Sequence, residues 1–205
     1  MRAKIKVCGM KYNIEEVAAL KPDYIGFIFY EDSPRNFDGT IPKLPSEIKK
    51  VGVFVNQIIE KVVEIVDKYS LDVIQLHGEE NVAYCKLLSK YSNDLEVWNV
   101  FSVGQDFNFE VIRPYEPFIS KFLFDTKGIH KGGNGVLFNW EILSEYTSQK
   151  EFILSGGIGL KEIDAINKLM SNENLPLHAI DINSKFEDRP GLKNITRLKQ
   201  FFNEI

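Results

Sequence analysis

Eight short apolar segments alternate with stretches of helical periodicity along this chain, and that alternation restricts it to few folds. Ile25-Gly26-Phe27-Ile28-Phe29 and Phe152-Ile153-Leu154 carry no polar side chain. Strands of this kind are buried on both faces, as in a parallel sheet that helices cover. The predicted strands span residues 5–8, 24–29, 51–55, 73–77, 97–101, 122–125, 152–155 and 179–183.

The amphipathic segments between these strands are predicted to be helices. Ile59, Val62 and Val66 recur at helical spacing, with charged residues on the opposite side. Asn56 is placed to cap this helix at its N-terminus. Prolines predict only short helices within residues 32–50 and 106–118. Other helices are predicted over residues 13–20, 80–91, 140–147, 160–170 and 192–202.

Eight strand–helix units in 205 residues predict a compact TIM (β/α)8 barrel, near the lower size limit of that fold. No linker rich in Gly, Ser or Pro divides the chain, so we expect a single domain over residues 1–205. A doubly wound open sheet is the alternative. The first loop disfavours a dinucleotide-binding sheet, because Cys8-Gly9-Met10-Lys11-Tyr12-Asn13 lacks the spaced glycines.

Charge and composition disfavour several kinds of partner. The net charge of -4 and the pI of about 5.5 disfavour binding to nucleic acid or to an anionic membrane. The apolar stretches are far shorter than the roughly 20 residues that span a bilayer, and the N-terminus lacks the apolar core of a signal peptide. Two cysteines, Cys8 and Cys85, cannot form a disulfide framework, so we expect a reduced, cytoplasmic protein.

Two titratable residues end predicted strands, where barrels of this class carry their chemistry. Cys8 ends the first strand and Asp125 ends the sixth. A thiol and a carboxyl are suited to act as base and acid on one small substrate. The alternatives are a buried packing cysteine and a carboxylate that caps its own loop. Cys85 lies inside a helical pattern and is expected only to pack.

A thiol that acts as a base needs a positive neighbour, and Arg35 and Lys6 are the candidates. We expect Lys6 to point away from the barrel centre if Cys8 points inward. Arg35 follows Ser33-Pro34, and a guanidinium held there can bind a carboxylate through two parallel hydrogen bonds. A plain solvated arginine is the alternative.

The three histidines do not predict a metal site. His77 ends the fourth strand, where it is either a second base or a structural hydrogen-bonding residue. His130 and His178 lack partners at strand ends.

Two glycine clusters suggest a phosphate site. Gly132-Gly133-Asn134-Gly135 follows the sixth strand, and a plain flexible loop is an equal alternative there. Ser155-Gly156-Gly157 follows the seventh strand and leads into a predicted helix, so backbone amides can face an anion. Asp181-Ile182-Asn183-Ser184 supplies the loop after strand eight, which commonly shares such a site. Acid, base and phosphate site together indicate a sugar-phosphate isomerase.

Taken in order, these residues resemble the N-(5'-phosphoribosyl)anthranilate isomerase family of tryptophan biosynthesis. The resemblance extends from Lys4 to about Lys193. The matching motifs are Lys6-Val7-Cys8-Gly9-Met10, Gly26-Phe27-Ile28-Phe29, Ser33-Pro34-Arg35, Val51-Gly52-Val53-Phe54-Val55-Asn56, Gln75-Leu76-His77-Gly78-Glu79, Phe124-Asp125-Thr126-Lys127, Gly132-Gly133-Asn134-Gly135, Phe138-Asn139-Trp140, Leu154-Ser155-Gly156-Gly157, Asp181-Ile182-Asn183-Ser184 and Pro190-Gly191.

The resemblance implies a TIM barrel that needs no metal or organic cofactor and acts on the small molecule phosphoribosylanthranilate. The reaction is an Amadori rearrangement of this aminoaldose to the aminoketose 1-(2-carboxyphenylamino)-1-deoxyribulose 5-phosphate. By the same resemblance, Asp125 protonates the ribose ring oxygen as general acid, and Cys8 removes the proton from C2' as general base. We expect a monomer or homodimer without a nucleic-acid or membrane partner.

The resemblance also implies which residues bind the substrate. Arg35 would face the anthranilate part and its carboxylate. The phosphate would be held by the backbones of Gly133, Gly135, Gly156, Gly157 and the Asn183-Ser184 turn. His77 and Asp181 complete the predicted set.

Three positions depart from the family pattern. Lys185 stands where many members have glycine, Trp98-Asn99-Val100 lacks a frequent lysine, and Lys193-Asn194 replaces Lys-Asp and predicts a weaker helix cap. Two other functions stay open at this point. One is the histidine-pathway isomerase, whose relatives show a two-aspartate pattern where this chain has Cys8, and the other is a phosphate-binding barrel without turnover.

Overall fold

A closed parallel barrel forms the centre of the protein. The computed structural model describes residues 4–91, 95–126 and 140–205. Each strand pairs in parallel with its sequence neighbours, and the last strand closes the ring on the first. This closure confirms the predicted TIM (β/α)8 barrel over the open sheet. The strands are β1 Lys4–Val7, β2 Tyr24–Phe29, β3 Lys49–Phe54, β4 Val73–Leu76, β5 Glu96–Val103, β6 Lys121–Thr126, β7 Phe152–Ser155 and β8 Leu177–Ile182.

Helices and one hairpin connect and follow the barrel strands. The α-helices are α1 Ile14–Ala18, α2 Ile59–Tyr69, α3 Val82–Leu88, α4 Ile163–Met170 and α5 Ile195–Glu204. Tighter 3-10 helices cover Phe109–Phe118, Trp140–Glu145, Leu160–Glu162 and Ser184–Phe186. After β8, the short strands β9 Glu187–Arg189 and β10 Leu192–Lys193 form an antiparallel hairpin. The hairpin occupies the start of the helix predicted at 192–202.

Two local predictions are wrong. No helix forms within residues 32–50, where Pro34, Pro42 and Pro45 remove backbone donors. Asn56 does not cap α2, whose N-cap is Ile58. Instead its Oδ1 accepts a 2.7 Å hydrogen bond from the backbone of Glu79, which braces the loop after β4.

The expected loss of a cap on α5 does not occur. Asn194 Oδ1 accepts from the backbone N–H of Arg197 at 2.9 Å. Asparagine caps a helix about as well as aspartate, so the replacement leaves the start of α5 intact.

The barrel interior has an apolar floor below a polar upper part. Alternate residues of a strand face the same side, so each strand sends every second side chain inward. On β1, β4 and β8 the inward side chains above the floor are polar: Lys6, Gln75 and Asp181 are all buried. The floor consists of Tyr24, Val51, Val73, Trp98, Leu123, Ile153 and Ala179. The buried polar side chains of these three strands therefore lie to one side of the apolar floor.

Candidate active site

A cavity of about 240 Å³ lies where the barrel strands end at their carboxyl termini. Two larger depressions, of about 620 and 500 Å³, lie on the outer surface, and no predicted site residue lines them. Position among the strand ends, rather than size, therefore identifies the candidate site. The cavity brings together the predicted residues Cys8, His77, Asp125, Gly156, Gly157, Asp181, Asn183 and Ser184, with Ile28, Val53, Gln75, Ser155 and Ile158 between them.

Lys6 lies directly below Cys8 on the inner face of β1. The lysine is fully buried and the cysteine is 4% exposed. The prediction that Lys6 points outward is wrong, because residues two apart on a strand share a face. Gly26 on β2 makes room for both, since a Cβ there would lie 2.9 Å from Cys8 Sγ and 3.2 Å from Lys6 Cε.

The protonation of Cys8 is set by opposing effects. Burial raises the pKa of the thiol, whereas the Lys6 ammonium lowers it and the Asp181 carboxylate raises it again. The net shift is upward, so the thiolate is a minor species in the free protein. Lys6 is the group that most increases its share.

Lys6 joins two other strands through its ammonium group. Its Nζ lies 2.8 Å from Asp181 Oδ2 on β8 and 2.8 Å from Gln75 Oε1 on β4. Burial acts to lower the pKa of Lys6, but Asp181 and Cys8 outweigh it and the pKa is raised. Burial also raises the pKa of Asp181 against the effect of Lys6. The 2.8 Å contact favours the ionised form of both Lys6 and Asp181, because each charge offsets most of the cost of burying the other.

Asp181 keeps one acceptor unused. Among the described residues, its Oδ1 is a buried side-chain atom without a hydrogen-bond partner. Because Asp181 also lines the cavity, this oxygen is available to a hydroxyl or other donor that enters there.

His77 lines the cavity close to Asp125. Its Nδ1 is 3.0 Å from Gln75 Nε2, and its Nε2 is 3.9 Å from Asp125 Oδ2. Burial lowers the pKa of His77, with Asp125 opposing the shift, so the ring is neutral near pH 7. The Asp125 side chain is 26% exposed at the end of β6 and can reach a substrate in the cavity.

Arg35 is held by a carboxylate of the hairpin after β8. Glu187 accepts from Arg35 and also from Lys193 Nζ at 2.9 Å. Lys193 is buried and donates to Asn183 Oδ1 at 2.7 Å. Gly9 fits between these groups with φ of 72°, and a Cβ there would lie 2.6 Å from Asn183 Oδ1. The positive φ and the lack of space for a side chain therefore explain why a glycine follows Cys8.

The predicted phosphate loops meet at the same end of the barrel. Gly156 and Gly157 have φ of 100° and 64°, which side chains rarely adopt. Glycines in such conformations allow successive backbone amides to turn toward one point, which is the geometry that an anion site needs. Ser184 starts the facing 3-10 helix after β8 and lines the cavity beside them. Gly133 and Gly135 lie outside the described residues.

Gln75, Glu187 and Lys193 were not among the predicted site residues, and Lys6 was considered as a positive neighbour of Cys8 but expected to point away from the barrel centre. A signal existed for Lys6 and Gln75, because each precedes a predicted site residue, Cys8 or His77, by two positions and so shares its face. No local pattern marks Glu187 or Lys193, which reach the site only through the fold of the hairpin.

The described part of the chain contains neither a metal-binding cluster nor a membrane-spanning helix. No cluster of three or more His, Cys, Asp or Glu side chains there could hold a metal ion. No helix among the same residues has the length and apolar character needed to cross a bilayer.

A closed (β/α)8 barrel with titratable side chains around a cavity at its strand ends has the architecture of a barrel enzyme. Comparison with known proteins narrows this class. Residues 3–204 match the family model of N-(5'-phosphoribosyl)anthranilate isomerase. A relative of that name from Parabacteroides distasonis is 43% identical, over 98% of this chain and 92% of its own length. One from Campylobacter jejuni is 38% identical, over 98% of each chain.

Solved structures agree with this assignment. Phosphoribosylanthranilate isomerase from Thermotoga maritima superposes with a TM-score of 0.83 at 28% identity, covering 99% of this chain and 98% of that one. A phosphoribosylanthranilate isomerase in complex with reduced 1-(o-carboxyphenylamino)-1-deoxyribulose 5-phosphate has a TM-score of 0.80 at 25% identity, with the same coverage. The chain belongs to the N-(5'-phosphoribosyl)anthranilate isomerase family.

Proposed function

We propose that the chain carries out the reaction of its family, the isomerisation of phosphoribosylanthranilate in tryptophan biosynthesis, with Cys8 as general base and Asp125 as general acid. The observation that carries this proposal is the placement of both side chains, 117 positions apart, in one cavity. A thiol and a carboxyl on different strands can act on different atoms of one small substrate.

The first step is ring opening. Asp125 gives its proton to the ribose ring oxygen, the C1'–O bond breaks, and the anilino nitrogen forms a Schiff base with C1'. The carboxyl is suited to this step because it is partly exposed to the cavity and can reach a bound substrate.

The second step is loss of the proton from C2' to Cys8. The enolamine that forms then becomes the ketone of the product. Lys6 assists because its ammonium lies below the thiol and stabilises the thiolate, which burial otherwise disfavours. Asp181 Oδ1 is the acceptor we assign to a sugar hydroxyl, since it is buried, lines the cavity and lacks a partner among the described residues.

The two ends of the substrate carry charges that the site can match. We assign the phosphate to the amides around Gly156 and Gly157, which have positive φ, and to those of the Asn183-Ser184 turn, because all four residues line the cavity. Gly133 and Gly135 are the further phosphate-binding residues that the family resemblance implies. Arg35 is assigned to the anthranilate carboxylate, and His77 is placed beside the acid Asp125.

Turnover of freshly prepared phosphoribosylanthranilate by the purified chain tests the proposal, because the substrate's fluorescence is lost on conversion. The histidine-pathway aminoaldose is the control substrate. We expect turnover of the first and none of the second, since the first strand ends in Cys8 rather than an aspartate. Turnover of the control alone would assign the chain to histidine synthesis, and turnover of neither would favour a binding barrel.

The setting of the reaction completes the proposal. We expect a cytoplasmic enzyme that needs no metal or organic cofactor and acts as a monomer or homodimer. A phosphoribosylanthranilate isomerase from Thermotoga maritima is described as dimeric, at 25% identity to this chain. Turnover after exhaustive dialysis against a chelator tests the expectation about metals.

A further inference from the structure

A chain of hydrogen bonds runs through the barrel from Lys6 to His77, and the direction of each bond can be assigned. An ammonium group only donates, so the Gln75 side-chain atom 2.8 Å from Lys6 Nζ must be the oxygen. The Gln75 amide nitrogen then lies 3.0 Å from His77 Nδ1. That nitrogen also only donates, so Nδ1 of His77 accepts.

The tautomer of His77 follows from this direction. A neutral imidazole carries one proton, and with Nδ1 accepting the proton is on Nε2. Nε2 is the ring nitrogen nearest to Asp125, 3.9 Å from Oδ2. The distance is longer than a hydrogen bond. Contacts between catalytic side chains commonly shorten to hydrogen-bond length when substrate binds.

We propose that Gln75, oriented by Lys6, holds His77 in its Nε2–H tautomer so that this N–H donates to the Asp125 carboxylate as Asp125 gives up its proton. The inference rests on the proposed role of Asp125 as general acid. His77 and Gln75 are positioning residues in this account. The Asp125 O–H bond breaks and a bond to the ring oxygen forms, while the His77 N–H stays intact.

The arrangement favours proton transfer because the hydrogen bond strengthens during it. A donor binds an ionised carboxylate more strongly than a protonated carboxyl. The hydrogen bond gains strength as charge develops on Asp125. It therefore lowers the free-energy barrier of the reacting step and does not strengthen substrate binding. Loss of the Nε2 donor should therefore lower kcat and leave KM nearly unchanged.

Nitrogen-15 NMR of the imidazole rings tests the tautomer without reference to activity. His178 is an internal reference, because its Nδ1 lies 3.0 Å from Glu151 Oε2 and its Nε2 lies 2.8 Å from the Tyr24 hydroxyl. A carboxylate only accepts, so neutral His178 carries its proton on Nδ1. Burial lowers the pKa of His178, which keeps it neutral near pH 7. The spectrum of the native protein should therefore show an Nε2–H ring for His77 and an Nδ1–H ring for His178.

The signal of His77 is assigned by its loss in a His77→Gln variant. We expect the Nε2–H pattern in the native protein and a mixture of tautomers in Gln75→Met. An Nδ1–H or doubly protonated ring at pH 7 in the native protein would overturn the proposal. An unchanged His77 pattern in Gln75→Met would show that Gln75 does not set the tautomer of His77.

Two substitutions at His77 test the function of the donor. The amide nitrogen of Gln reaches about as far as imidazole Nε2, whereas that of Asn reaches only as far as Nδ1. We expect His77→Gln to keep kcat within about threefold and His77→Asn to lose roughly 10- to 100-fold, with KM unchanged in both. Equal losses of kcat in the two variants, or a rise in KM with kcat unchanged, would overturn the proposal. Absence of native turnover would instead defeat the proposed function and leave the tautomer result standing.

Discussion

Arg35 and Glu187, 152 residues apart, form a forked ion pair beside the cavity. Arg35 Nε lies 3.0 Å from both carboxylate oxygens, and Nη2 lies 2.6 Å from Oε2. Burial acts to raise the pKa of Glu187, but Arg35 and Lys193 outweigh it and the pKa is lowered. Two cations and one carboxylate leave this cluster with a net charge of +1, which suits an anionic group of the substrate.

Replacement of Arg35 by lysine should weaken substrate binding. Lysine keeps the charge but cannot form the fork that fixes the guanidinium on Glu187. We expect KM to rise about tenfold with kcat changed little, since the interaction is made before the reacting step. Steady-state kinetics is the measurement. Arg113→Lys is the matched control, because Arg113 is exposed and pairs with its helix neighbour Glu110. Equal KM values in both variants would make Arg35 a purely structural residue.

Replacement of Cys8 by serine should abolish most turnover. A serine hydroxyl loses its proton far less readily than a thiol, so almost no anionic base is available at neutral pH, and kcat should fall at least about 100-fold while the fold is kept. Cys85→Ser is the control. Cys85 is also fully buried, but it lies on α3 and does not line the cavity. Near-normal turnover of Cys8→Ser would refute the role of the thiol as base.

Replacement of Asp125 by asparagine should separate binding from chemistry. The amide fills the same space but cannot supply a labile proton, so turnover should fall by about 100-fold or more. Affinity for the reduced aminoketose phosphate, measured by calorimetry, should stay close to that of the parent. If binding is lost while residual turnover per bound substrate persists, Asp125 positions the substrate and does not open the ring.

A charge placed at Gly157 should expel the phosphate. Among the described residues, no atom lies within 4 Å of a Cβ at this position, so a side chain has room beside them. Asp and Asn have nearly equal shapes and tolerate φ of 64° better than most residues, which cancels the backbone strain in the comparison. We expect Gly157→Asp to bind substrate at least about tenfold more weakly than Gly157→Asn. Equal KM values for the two variants would place the phosphate elsewhere.

Glu96 should stabilise the amino-terminal end of the barrel above about pH 4. It accepts from Lys49, Lys121 and Trp98. Burial acts to raise the pKa of Glu96, but these partners lower it to about 2. Because the folded-state pKa lies below the unfolded one, the stability is present above the unfolded pKa and is lost as pH falls toward 2.

Urea unfolding of a Glu96→Gln variant tests this effect. We expect a loss on the order of 2 kcal/mol at pH 7, which shrinks by about half at pH 3. The control is Glu64→Gln, because Glu64 forms an exposed helical pair with Lys61 and should change stability by less than about 0.5 kcal/mol. A loss that is independent of pH would assign the effect of Glu96 to packing.

The barrel could be predicted from local patterns. Residues 24–29 and 152–155 were predicted as strands and are observed with the same bounds, because their apolar side chains signal burial on both faces. The prediction that Cys8 and Asp125 share a site needed only one further rule, that strand ends meet at one end of a barrel. The cap at Asn56 failed because its side chain bonds a loop 23 residues away rather than its own helix.

By itself the sequence determined the alternation of strands and helices, the barrel that follows from it, and the residues at the strand ends. Those are properties of hydrophobic period and chain order, which act over a few residues. Only the tertiary structure decided that Lys6 bonds Asp181, 175 positions away, and Gln75, 69 positions away, or that Glu187 holds Arg35. These partners depend on the closure and register of the barrel, because a hydrogen bond is satisfied only within a few tenths of an ångström.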